Sequence, residues 1–167
     1  MKKRLYALTF CAAVLISACA LLPRRDTVAY PATGGPGPAP AGVYVDKVDV
    51  DRRILAQELA RDVEALIPVL APGNGFAVVS SAQESAWPLH VHIVERETIR
   101  DFSPQYAIMV SIEMYPSAQA AHTAQPALTV VHTSESADSI SSPWTLKRIL
   151  DDCLREAAKS FAVKRGR

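Results

Sequence analysis

His90 and His92 stand two residues apart in the run Leu89-His90-Val91-His92-Ile93. On an extended strand that spacing turns both imidazoles to one face, a geometry that metal sites use. His132, on a separate strand, or Glu95 would have to complete such a site. Glu95 falls on the opposite face, and two histidines alone are short of the three or four protein ligands that zinc takes. The expectation is no metal and no cofactor, with the imidazoles free to hydrogen-bond on a solvent-facing strand surface. Other catalytic constellations fare no better. No serine sits in a Gly-x-Ser-x-Gly elbow. Glu95 and Glu97 flank Arg96, and Asp151-Asp152 fall on a helix exterior, so each reads as a solvated face rather than an acid–base pair converging across a cleft. Gly34-Gly35-Pro36-Gly37 precedes no strand-to-helix turn and cannot cradle a phosphate. The chain carries no catalytic residue that its sequence identifies, and an enzyme is not expected.

The three cysteines point elsewhere. Lys2, Lys3 and Arg4 precede a short apolar run from Leu5 to Ile16, and the small residues Ser17 and Ala18 stand directly before Cys19. About fourteen residues separate Arg4 from Cys19, whereas a spanning helix needs roughly twenty. Ile16-Ser17-Ala18-Cys19 resembles the lipobox of bacterial lipoproteins: an aliphatic residue, a small residue, Ala or Gly, then Cys. That resemblance implies cleavage before Cys19, with residues 1–18 as signal peptide, and lipidation of Cys19 by a thioether-linked diacylglycerol and an acylated amine. Several acyl chains, at about 0.8 kcal/mol per buried methylene, hold a protein firmly to a membrane. Ala20 after the cysteine implies, by the enteric sorting code, transfer to the outer membrane. Cys11 leaves with the signal, so Cys153 is the last free thiol and no internal disulfide can form. Cys153 falls on the apolar face of a helix, where it acts as a small hydrophobe.

Removing Lys2, Lys3 and Arg4 from the eighteen basic residues leaves fifteen against seventeen acidic ones. That balance offers no basic stripe for nucleic acid. Residues 19–42 read as the lipidated N-terminus and a disordered linker: Pro23 to Gly42 holds five of the twelve prolines and four of the seven glycines, with few apolar chains to bury. Stretched towards polyproline II, twenty such residues reach roughly 60 Å.

A single domain follows over 43–167. Val43 to Val50 is rich in β-branched residues, and its alternation slips at Asp46-Lys47, as at an edge or a bulge. Leu55, Leu59, Val63, Leu66 and Leu70 mark an amphipathic helix, with Asp49 or Asp51 as its cap; Pro68 disfavours helical geometry at Ile67, and Pro72-Gly73-Asn74-Gly75 ends the element. Phe76 to Ser80 is a short apolar run. Leu89-Val91-Ile93 and Tyr106 to Met114 alternate as two strands joined by a polar loop, Glu97 to Pro104. A second polar loop, Pro116 to Pro126, leads to a strand over Ala127 to Thr133 that faces the core through Leu128 and Val130 or through Thr129 and Val131. Ser142-Pro143 opens a last helix, whose buried stripe runs from Leu146 through Ile149, Leu150, Cys153, Leu154 and Ala157 to Phe161.

The order β-α-β-β-β-β-α predicts an α+β two-layer sandwich: a mixed sheet of four to five strands covered by two amphipathic helices. A lipobox, a Pro/Gly-rich arm and such a domain resemble small envelope-assembly lipoproteins. That group includes the lipopolysaccharide-assembly lipoprotein, activators of penicillin-binding proteins and auxiliary lipoproteins of ABC-type transporters. The resemblance implies a non-enzymatic adaptor of the bacterial cell envelope, anchored through Cys19 to the outer membrane on its periplasmic side and docking onto a larger protein machine. A lipid or small-amphiphile binding module is the alternative, and it predicts an apolar cavity opened by the loops 97–104 and 116–126. Trp87 and Trp144 both fall at element ends, where an aromatic can serve core edge or a partner surface, and core edge is the favoured reading. The first strand, leaving a Pro/Gly arm with a slipped alternation, is expected at the sheet edge, where a partner strand could add.

Overall fold

A computed structural model describes residues 25–33, 35, 37–51, 55–80 and 86–162. Five strands form one sheet: β1 (Arg25–Pro31), β2 (Gly42–Asp51), β3 (Ala86–Arg100), β4 (Ser103–Met114) and β5 (Leu128–Ser136). Their spatial order is β1-β5-β4-β3-β2. Three helices complete the fold: α1 (Ala56–Leu70), the short α2 (Ala118–Thr123) and α3 (Pro143–Ala162). β2 and β3 run parallel, as a crossover through α1 requires, and every other pair is antiparallel. The expected α+β class, a mixed sheet packed against helices, is the architecture found.

The core lies between one sheet face and α1 with α3. Leu59, Val63, Ile67 and Leu70 come from α1, and Leu146, Ile149, Leu150, Cys153, Leu154, Ala157 and Phe161 from α3, all buried. They meet Val43, Leu89, Val91, Ile93, Val110, Ile112, Leu128 and Val130, which the two-residue strand period turns to the same side. On β5 the inward set is Leu128 and Val130, and Thr129 and Val131 face out. Phe161 meets Trp87 and Phe76 edge-on, with ring centroids 5.6 and 6.3 Å apart, and closes the end of the core away from the β3–β4 turn.

Several expectations are corrected. Arg25–Pro31, placed within the linker over 19–42, is a strand paired to β5 from Arg25↔Ser134 to Pro31↔Leu128. It joins the sheet by backbone hydrogen bonds, which need no apolar stripe. Phe76 to Ser80 contributes a single parallel bridge, Val43↔Val78, instead of a strand. Helix α1 is capped by neither Asp49 nor Asp51, because β2 runs to Asp51; its N-cap is Leu55, at φ 63° and without a side-chain hydrogen bond. The helix passes through Pro68 without breaking at Ile67 and ends at Leu70, just ahead of the turn at 72–75 where its end is expected. Pro68 has no N–H, so the Glu64 carbonyl lacks its helical donor.

The loops shrink as well. The polar stretch 97–104 is strand almost throughout, and β3 and β4 meet at Asp101-Phe102, both with positive φ (51° and 63°). Such two-residue turns match the twist of the strands they join. Within 116–126, Ser117 caps α2 by accepting the Ala120 N–H at 3.1 Å.

Candidate docking surface

β2 is an outer strand, and its slip is real: the register shifts between Val45 and Lys47, leaving Asp46 as the extra residue. Among the described residues, backbone bonds cover only the start of its outer edge. The Val43 N–H donates to the Ala77 carbonyl at 2.8 Å, and the Val79 N–H donates to the Val43 carbonyl at 3.1 Å. Val45 lies two residues further along regular strand, so its N–H and C=O point to the same outer side. Beside them runs a groove of about 630 Å³, lined by Tyr44, Val45, Glu64, Ile67, Pro68 and Val78 among others. Its walls come from three segments: the strand edge, the side of α1 where Pro68 frees the Glu64 carbonyl, and the stretch after Phe76. Gly42 holds the third wall close, since a Cβ there would stand 3.0 Å from a methyl of Val79. Chemically the groove offers backbone donors and acceptors above an apolar floor, the requirements for adding an extended peptide.

Next to this edge, on the sheet face that carries no long helix, ionisable groups form a chain. Asp46 Oδ2 lies 2.9 Å from His90 Nε2. The His90 ring packs on Tyr115 at 4.8 Å between centroids, and the Tyr115 hydroxyl donates to Glu113 at 2.7 Å. Glu113 approaches His92 Nε2 at 3.4 Å, while His92 Nδ1 is 3.2 Å from Asp49 and Asp49 is 2.7 Å from Lys47. Burial, and then the hydrogen bond to Glu113, pushes the Tyr115 phenol up to about 12. The Lys47 hydrogen bond, above all, holds the Asp49 carboxyl below the usual carboxylate range.

His90 and His92 thus share a face, as their spacing predicts. His132 does not join them. It faces the helices, where its Nδ1 pairs with the Thr27 hydroxyl at 2.8 Å and burial lowers its pKa. Glu95 also points to the helix side, and there it accepts the Ile140 N–H at 2.6 Å and the Ser139 hydroxyl. Among the described residues no group of three or more His, Cys, Asp or Glu converges as a metal site would. Carboxylate–imidazole pairs exist, but the second nitrogen of His92 faces Glu113, and no serine hydroxyl is hydrogen-bonded to His90 or His92 among the described residues.

Asp151 and Asp152 both pair with Arg155 on the outside of α3. Cys153 is fully buried, and desolvation raises its thiol to about 12, which removes any nucleophilic character near neutral pH. Trp87 is core, whereas Trp144 is 81% exposed, a correction to its reading as core edge: Pro143 starts α3 with this position turned outward. Cys19 and its lipobox lie outside the described residues. Among the described residues no helix is long and apolar enough to cross a membrane.

What sequence reasoning missed is the groove, since Glu64, Pro68 and Val78 meet only through tertiary packing. Pro68 was its one visible signal, a proline within an otherwise helical pattern.

No family model and no curated protein sequence matches this chain. Solved structures do. A dodecamer of a point variant of PelC from Paraburkholderia phytofirmans superposes with a TM-score of 0.51 at 11% identity, covering 80% of this chain and 96% of that one. A second PelC dodecamer from the same organism gives 0.49 at 10% identity, over 78% and 98% of the two chains. A minor lipoprotein from Acinetobacter baumannii gives 0.41 at 11% identity, over 77% and 95%. At these identities the likeness is one of fold: the first of these structures shares the sheet-and-helix architecture over nearly its whole length.

Proposed function

We propose that this chain is a lipid-anchored, non-enzymatic docking subunit of the bacterial cell envelope, held through Cys19 to the outer membrane on its periplasmic side. Its β2 edge receives an extended segment of an envelope protein. The observation that carries this reading is the outward backbone of Val45, which bonds to none of the described residues on that side, above the groove walled by α1 and Val78. Asp46, Lys47 and Asp49 along the same strand discourage indiscriminate edge pairing and leave room for a partner of matching charge.

The test is Val45→Pro, which deletes an outward N–H without touching the β3 ladder. Circular dichroism should show a folded domain, while in-cell crosslinking through a photoreactive side chain at Tyr44 loses its adduct. Retention of the adduct would refute the edge as the docking site.

A second copy of the chain is the other occupant the sheet suits, because β1 at the far side is equally an outer strand. Joining β1 of one copy to β2 of the next is a heterologous contact, which closes into a ring or grows as a filament. PelC, whose fold is similar, forms a dodecamer. Native mass spectrometry of the lipidated protein separates the two readings, since an oligomer broken by Val45→Pro supports self-assembly.

A further inference from the structure

The β3–β4 hairpin outruns its neighbours. β2 stops opposite Val94, and β5 stops opposite Tyr106. Beyond the Glu97↔Tyr106 pair, Thr98 to Gln105 continue as a two-stranded ribbon with no flanking strand among the described residues. At its apex Phe102 is 103% exposed, and Ile99 beside it is 79% exposed. Phe102 also holds a left-handed backbone at φ 63°, a conformation that disfavours a bulky side chain. A strained, fully exposed aromatic on a projecting ribbon is a feature in need of an occupant outside the fold.

The chain's own entry point says which. β1 begins at Arg25, in the same cross-sheet row as Ser134, Ile108 and Glu95, and runs away from the hairpin tip. The chain therefore enters the domain at the end from which the ribbon projects. Five residues separate Cys19 from Arg25, which limits the distance between the two to roughly 20 Å. From the Glu95 row to the apex is six residues of strand, likewise roughly 20 Å. Bringing the opposite end of the sheet to the anchor would require those five residues to double back fully extended along the length of β1.

We infer that the hairpin apex, Ile99 with Phe102, is a second membrane contact that enters the lipid surface to which Cys19 is anchored and fixes the domain's orientation upon it. Arg100 stands directly beside the apex, exposed, where anionic headgroups can receive it. The inference rests on the anchoring proposed above, and the experiment tests the two separately.

Lipidated protein is placed on vesicles of phosphatidylethanolamine and phosphatidylglycerol containing brominated phosphatidylcholine, in a Trp144→Phe background. Phe102→Trp reports the apex, and Val69→Trp, on the exposed side of α1, reports the end away from it. The expected result is strong quenching at position 102 and little at 69. A charge pair, Ile99→Asp with Phe102→Asp, should speed transfer of the anchored protein between vesicles about tenfold, since it withdraws two apolar side chains from lipid. Protein that is vesicle-bound and lipidated at Cys19, yet equally unquenched at both positions, overturns the apex contact and leaves the anchor standing. Protein that carries no lipid at Cys19 and stays off vesicles overturns both.

Discussion

β1 and β2 are the two outer strands of one sheet, and they are held by different physics. β2 is backed by the core: Val43 is wholly buried, and Val45, Val48 and Val50 pack against it. β1 turns mostly exposed side chains to solvent, among them Val28 at 44% and Tyr30 at 58%, and is held by its backbone ladder, by Ala29 and by the Thr27–His132 hydrogen bond. The β3–β4 apex belongs with β1, being strand without a core behind it. The comparison teaches that hydrogen bonding alone extends a sheet at its margins, whereas burial fixes where the sheet must be.

Aspartate in place of one valine of each strand, buried Val43 and exposed Val28, breaks the comparison most sharply. Val43→Asp puts an unpaired carboxylate into a site with no solvent access and should remove more than about 4 kcal/mol, enough to unfold a marginal domain. Val28→Asp should change stability by less than about 0.5 kcal/mol. Urea unfolding followed by circular dichroism measures both, and comparable losses would mean that β1 is as deeply backed as β2.

The same division governs what the sequence made legible. Both long helices and β3, β4 and β5 announce themselves because burial imposes a period of four-and-three or of two, and Leu59, Val63, Ile93 and Leu150 sit where those periods place them. β1 has no such imprint. Arg-Asp-Thr-Val-Ala-Tyr-Pro lies beside a Pro/Gly-rich stretch, and its β-formers Thr27, Val28 and Tyr30 serve a ladder that tolerates almost any side chain. A stretch read as linker as far as Gly42 is therefore paired to β5 over Arg25–Pro31. Phe76 to Ser80 misleads in the opposite direction, since Phe76 is apolar to fill the core end beside Phe161 and not to build a strand. At the candidate surface the slip at Asp46-Lys47 and the shared face of His90 and His92 were readable from spacing. Their pairing with Asp46, Asp49 and Glu113 depends on the β2–β3–β4 register, which spacing within one strand cannot supply.

Acid should sharpen the contrast by loosening β1 first. His132 is buried against the helices, and desolvation, reinforced by Arg148 and Arg25 and opposed by Asp152, lowers its pKa below the ordinary 6.5. The unfolded chain then binds the proton before the folded one does, so stability is full above about pH 6.5 and falls as the pH drops through that value towards the folded-state pKa. The urea midpoint should decline across this window in the native chain and decline less in His132→Gln, whose amide can still meet Thr27 but does not titrate. Equal slopes in both proteins would show that other groups set the acid response. Hydrogen exchange should place the earliest loss of protection at Thr27 to Ala29, opposite Val130 to His132.

The smallest expected effect is a gain. Phe102 occupies the second position of the β3–β4 turn with a left-handed backbone, where an aromatic side chain carries a penalty of roughly 1 kcal/mol and asparagine carries little. Its ring is fully exposed, so nothing in the core compensates for that strain. Phe102→Asn should therefore stabilise the domain by up to about 1 kcal/mol, raising the melting temperature by a few degrees. Residues are normally retained against such a gain where they act on something outside the fold, and the same variant should weaken the apex's quenching by bromolipid in a chain that also carries a reporter, Ile99→Trp, beside it. A loss of stability in Phe102→Asn would place the ring in a packing contact within the domain, and the apex would then belong with β2, among the strands that burial holds.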